Sequence, residues 1–215
     1  MSVPTQRHLV WLTLKKLPWL TLFILFMQCL LFLAVDLNDG TESLFALNID
    51  KDTFLNLFAF NIERPWEHLG MTVLTSFFIH SGASHFFANL LFGSAIMSVA
   101  EILNGYLFLL RSLIVGHLAG LVGAFFAFHF TQAPPLAAGM SGGLTFIYTR
   151  WVLVRFGKAA TILLLPLVIS FLFLPNTFGL AHGFPLLLGI GLALIDGRSR
   201  SLTSEPNQPN RKSPL

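Results

Sequence analysis

Long apolar runs separated by short polar turns dominate this chain. Six segments are nearly free of charge: roughly Leu17 to Val35, Ser84 to Leu103, Tyr106 to Phe130, Ser141 to Phe156, Ala159 to Leu174 and Phe178 to Ile195. A membrane crossing takes about 20 apolar residues, fewer where a helix is short or begins below the surface, so the pattern predicts an all-α membrane protein with six transmembrane helices. Pro166 and Pro185 interrupt two of these runs and are expected to kink their helices, which neighbours in a bundle tolerate.

The connections differ in kind. Those at Asn104-Gly105 and around Gly157-Lys158 are tight turns, whereas residues 36–83 form a connection far longer than the usual one of about five residues. Phe54, Leu55, Leu57, Phe58 and Phe60 predict a short amphipathic helix lying in the membrane interface, with Trp66 as a headgroup-level anchor. Residues 1–16 read as a cytoplasmic N-terminal segment, residues 17–196 as the membrane domain and the polar residues 197–215 as a disordered cytoplasmic tail. No internal repeat or inverted symmetry is visible, which weakens a transporter reading.

Composition agrees with the pattern. The chain is 54% hydrophobic and 11% charged, with a mean hydropathy of +0.73, against about a quarter charged in soluble domains. Arg7, Lys15 and Lys16 precede the first run, and Arg198, Arg200, Arg211 and Lys212 follow the last. The positive-inside rule therefore puts both termini in the cytoplasm, which requires an even number of crossings. Arg111, Arg150, Arg155 and Lys158 then fall on the inner side, and Asp36, Asp39, Glu42, Asp50, Asp52 and Glu63 on the outer. The first run is too long for a signal-peptide core and lacks a small-residue cleavage site, so it reads as a retained span. The net charge of +3 is not gathered on a basic face, which excludes nucleic acid as a partner. Cys29 is the only cysteine, so neither a disulfide framework nor a thiolate metal site exists.

The topology has a chemical consequence. Spans two, four and six all run inward, so polar residues near their starts share one depth on the outer side. Ser141 opens span four between Gly139 and Gly142, His182 lies near the start of span six, and His85 and Asn89 sit one turn apart on span two. The glycines permit a tight turn and close approach, and a helix N-terminus offers free N–H groups with a positive dipole end, as a developing oxyanion requires. A neutral His182 would take the Ser141 proton and return it to the leaving amine. No carboxylate is placed to orient it, making a dyad rather than a triad. His85 and Asn89 suit side-chain support of the oxyanion; their structural alternative is helix–helix hydrogen bonding. His80 reads as a brace for the long connection, and His117 and His129 show no convergent partner. A histidine-only zinc site from His80, His85 and His182 is a minor alternative, lacking an acidic base. Neither His-Glu-x-x-His nor a pair of intramembrane aspartates is present.

These landmarks resemble the rhomboid family of intramembrane serine proteases. The second span resembles the family's through His80-(x4)-His85-(x3)-Asn89 with Glu101 at its inner end; the fourth opens with Gly-x-Ser-Gly at Gly139 to Gly142; the sixth carries Ala181-His182 and then Gly189. The resemblance covers about Thr75 to Asp196 and implies a six-helix bundle with an outward-opening, water-filled cavity, a Ser141 nucleophile and a His182 general base. Asn89, His85 and backbone N–H groups at Ser141 would stabilise the oxyanion. It implies single-span membrane-protein substrates cut near the outer membrane boundary, residence in a bacterial-type cytoplasmic membrane, and no cofactor or metal. Three positions depart from the family: Thr145 where an aromatic often stacks on the histidine, Met71-Thr72 in place of a Trp-Arg pair, and Pro185 in place of a glycine facing span four. Two alternatives stay open at this point, a non-catalytic relative that binds or escorts membrane clients and a small channel.

Overall fold

A computed structural model describes residues 17–36, 51–80, 82–131, 135–157, 160–173 and 177–203. The N-terminal segment 1–16, the acidic stretch around Asp39, Glu42 and Asp50, and the tail from residue 204 lie outside the described residues. The described chain is mostly helical: α1 (Trp19–Asp36), α2 (Lys51–Phe58), a 3₁₀ turn (Glu67–Gly70), α3 (Thr72–Thr75), α4 (Ala83–Asn104), α5 (Tyr106–Thr131), α6 (Ser141–Phe156), α7 (Ala160–Phe173) and α8 (Thr177–Thr203). Among the described residues two helices, α4 and α5, are long and apolar enough to cross a membrane. Trp19–Ala34 and Leu180–Asp196 are shorter apolar stretches.

The six longer helices α1, α4, α5, α6, α7 and α8 each coincide with one of the apolar runs within a few residues, except that α8 continues to Thr203. The amphipathic helix expected around Phe54 is present as α2, where Phe54 and Phe58 pack ring on ring at 4.6 Å. Large apolar side chains such as Phe87, Leu91, Phe92, Ile102 and Leu103 point outward from α4. That is the inverse of a soluble surface and matches a helix bathed in hydrocarbon.

Helix α5 packs against both α6 and α8, and α6 against α8. Small residues set these contacts: Gly116 and Gly120, one turn apart, face Gly142 and Gly143, while Gly120 and Gly123 face the Leu180–Ala181 backbone of α8. A β-carbon at Gly116 would stand 2.8 Å from the Gly143 Cα, so the backbones touch with nothing between them. At the far end, Arg150 donates Nε and Nη2 to Asp196 Oδ2 at 3.0 and 2.7 Å and covers the Phe108 ring, tying α6 to α8 and α5.

The start of helix α1 meets one carboxylate. Buried Glu101, near the C-terminal end of α4, accepts hydrogen bonds from the Leu20 and Thr21 amides at 2.9 and 2.8 Å and from Thr21 Oγ1 at 2.8 Å. The first N–H groups of any helix lack intrahelical partners, and here an anion meets them at the positive end of the dipole. Toward the other end of α1, Phe32 stacks on Phe86 at 3.9 Å.

The long first connection is not a free loop. Phe60 and Asn61 form a two-residue strand, β1, antiparallel to β2 at Leu136–Ala137, with Phe60 opposite Ala137 and Asn61 opposite Leu136. Ile62 N adds a bond to Pro135 O at 2.8 Å, and Gly139 N donates to Ser76 O at 2.7 Å. The segment leading into Ser141 is thereby fixed by residues 63 to 77 positions earlier.

Candidate functional site

Five of the six residues expected at the site come together on one cavity. Its volume is about 670 Å³, and its wall includes His85 from α4, Gly139, Ser141 and Gly142 at the start of α6, and His182 from α8. Small apolar residues, among them Ala88, Gly120, Ala124, Ala137 and Ala181, make up much of the remaining wall. The starts of α4, α6 and α8 therefore meet at one end of the bundle, as the alternating direction of the helices requires.

Ser141 is the first residue of α6, and Met140 before it is buried and provides no side-chain cap. The intrahelical ladder begins with Leu144 N to Met140 O. The amides of the first turn are thus available to an external acceptor. Gly139 has φ +104°, a backbone region that L side chains rarely adopt, and a β-carbon there would fall 2.6 Å from His85 Cε1. Glycine is required at this position both for the turn and for the approach of His85.

His85 and His182 are within electrostatic reach of each other across the cavity. Asn89, by contrast, is not on the wall. It is buried behind it, with Nδ2 about 3.5 Å from where a Gly139 β-carbon would lie and without a hydrogen-bond partner. An unsatisfied buried amide next to the turn is an unused donor, which costs stability unless a ligand or water meets it.

His80 lies edge-on to His85 and Phe86, with ring centroids 5.2 and 5.5 Å away. Burial, then the nearby His85, lowers its pKa to about 4, against which a backbone hydrogen bond at Phe78 acts weakly. It is therefore a neutral packing group beside the site, consistent with a brace. Among the described residues no three His, Cys, Asp or Glu side chains are grouped to hold a metal ion, so His80, His85 and His182 are not assembled as a ligand set.

The structure also locates the departures from the family pattern. Thr145 is buried in α6, while the neighbouring Phe146 packs on Gly116. Met71 is exposed and Thr72 buried. Pro185 is fully buried, its Cγ 3.5 Å from a β-carbon position at Gly142 and 3.9 Å from that at Gly120. The ring thus fills the space that a glycine would leave, and α6 and α8 still close on each other at Gly189, against Thr149 and the Phe146 carbonyl.

Sequence reasoning missed His117. It lines the same cavity from α5, and its Nε2 lies 2.9 Å from Val73 O, to which it donates, and 3.3 Å from Ser76 Oγ. Its partners are about 40 residues away in a connection without periodicity, so nothing in the local sequence exposes the contact. The signal for the α5 contacts was present but unread: glycines at 116 and 120, four apart in an apolar helix, mark a close helix–helix approach.

No protein-family model matches this chain, and no curated protein matches it either.

Proposed function

We propose that this chain is a rhomboid-type intramembrane serine endopeptidase that uses a Ser141/His182 dyad. The observation that carries the reading is a single cavity whose wall holds both residues, with Ser141 at the uncapped start of a helix, inside a bundle with an apolar exterior. Ser141 Oγ attacks the scissile carbonyl while His182 accepts its proton. The amides of the first α6 turn, with His85, stabilise the oxyanion, and Asn89 supports them from behind Gly139. Protonated His182 then donates to the leaving amine, and a water activated by the same imidazole releases the acyl group.

On this reading all six apolar helices span a bacterial-type cytoplasmic membrane with both termini inside. Helix α6, of 16 residues, extends about 24 Å, so it starts within the layer and places Ser141 below the outer surface. Substrates are single-span membrane proteins opened near that surface, and Trp66, 82% exposed, sits at headgroup level.

Purified protein in liposomes with a single-span model substrate provides the test. Ser141→Ala is expected to reduce cleavage by more than about 10⁴-fold, and a fluorophosphonate probe is expected to label wild type but not the variant. Unchanged cleavage in Ser141→Ala refutes the assignment. Absence of both cleavage and labelling in folded wild type favours a client-binding role.

A further inference from the structure

We propose that His117 is a positioning residue for the turn that delivers Ser141, acting by tethering that turn to the first connection through Val73 and Ser76. This inference rests on the peptidase reading for its kinetic consequence but not for its structural one.

Gly139 is the pivot. Its N–H is donated to Ser76 O at 2.7 Å, and the segment that supplies this acceptor is itself held by His117, whose Nε2 donates to Val73 O at 2.9 Å and lies 3.3 Å from Ser76 Oγ. The peptide plane that enters Gly139 is therefore fixed by Ser76, which His117 braces from α5.

A glycine at φ +104° needs this restraint. Without a β-carbon it has little steric barrier to rotating the peptides on either side. Since the peptide is planar and trans, releasing the Gly139 N–H from Ser76 O lets the whole Ala138–Gly139 plane turn and shifts the backbone that leads into Ser141. Oxyanion stabilisation depends on donors that are already oriented, so a turn that flips loses transition-state binding while leaving substrate binding intact. His117 is 6% exposed, with the Phe77 ring edge-on at 5.3 Å. Burial of this degree strengthens the tether and makes its loss felt.

His117→Phe keeps the packing and removes the donor; His117→Gln restores donors on a side chain of similar reach. Two measurements on full-length protein decide the matter: amide hydrogen exchange over residues 135–140, and steady-state cleavage. The expected result for His117→Phe is at least tenfold faster exchange in that segment with α6 still protected, and a roughly tenfold lower kcat with KM within twofold. His117→Gln should recover most of both. Should His117→Phe fail to fold, Ser76→Ala, which removes the neighbouring hydroxyl, is expected to speed the same exchange by a smaller factor. Unchanged exchange in His117→Phe, or in Ser76→Ala if that is the folded variant, overturns the proposal, as does a defect that His117→Gln does not relieve. If wild type shows no cleavage, the peptidase reading fails alone and exchange still decides the tether.

Discussion

Replacing Gly116 with alanine tests whether backbone contact between α5 and α6 sets the position of Ser141. A methyl group at Gly116 would stand 2.6 Å from Phe146 Cβ, 2.8 Å from Gly143 Cα and 2.9 Å from Gly142 O. Comfortable carbon contacts begin near ~3.5 Å, and the second and third obstacles are backbone, which cannot rotate away. The helices must separate by close to ~1 Å, and overpacking of this kind costs about 1–3 kcal/mol. Alanine also returns about 0.5–1 kcal/mol because glycine is the poorer helix former. Gly191→Ala isolates that second effect, since nothing lies within 4 Å of a β-carbon at Gly191 in α8. Gly191→Ala should therefore leave the melting temperature unchanged or raise it, and Gly116→Ala should fall below it by the full overpacking cost. A misplacement of ~1 Å at a reacting centre lowers turnover by about 10²-fold, so on the peptidase reading Gly116→Ala should lose cleavage far out of proportion to its stability. Thermal unfolding in detergent and initial rates on one substrate give both numbers. The reasoning fails if Gly116→Ala melts and turns over like Gly191→Ala.

Three further outcomes follow from other contacts. Glu101→Ala removes an acceptor of three hydrogen bonds at the start of α1, so thermal unfolding should show a loss of about 3–5 kcal/mol, with Glu101→Gln losing roughly half of that. Thr149→Val replaces a fully buried hydroxyl that has no partner with an isosteric methyl, and should stabilise by about 1 kcal/mol; a lower melting temperature would contradict it. His80, with its folded pKa depressed to about 4, is neutral in the fold while the unfolded chain protonates near ~6.5. Its contribution to stability is present above pH ~6.5 and lost as pH falls toward ~4, on the order of 3 kcal/mol in total. His80→Phe should flatten that part of the stability–pH curve in reversible unfolding, and an identical curve would refute the shift.

The sequence exposed the helices because each is a long apolar run with its own ends. Ser141–Phe156 was legible to the residue, bounded by Gly139 before and Gly157 after. The site was legible as a depth argument: residues at the starts of alternate helices had to meet, and His85, Ser141 and His182 do line one wall. Asn89 shows the limit of that argument, since helical spacing puts it on the right face without saying that Gly139 and His85 cover it. The β1–β2 ribbon carries no periodic signal, because two residues cannot display alternation and their pairing joins positions 60 and 137. The role of Glu101 was equally silent: a carboxylate at a helix end looks solvated until another helix begins beside it.

The division of the cavity wall between α6 and α8 also bears on biosynthesis. His182 belongs to the last described helix, whose backbone at Leu180 and Ala181 rests on Gly120 and Gly123 of α5. During synthesis Ser141 is therefore made well before His182, which lines the same cavity, leaves the ribosome. On the peptidase reading a nascent chain carries an inert serine until α8 docks, a step that also forms the Arg150–Asp196 pair at the opposite end. The order of these helices then works as a timer, withholding the assembled cavity wall until α8 is in place.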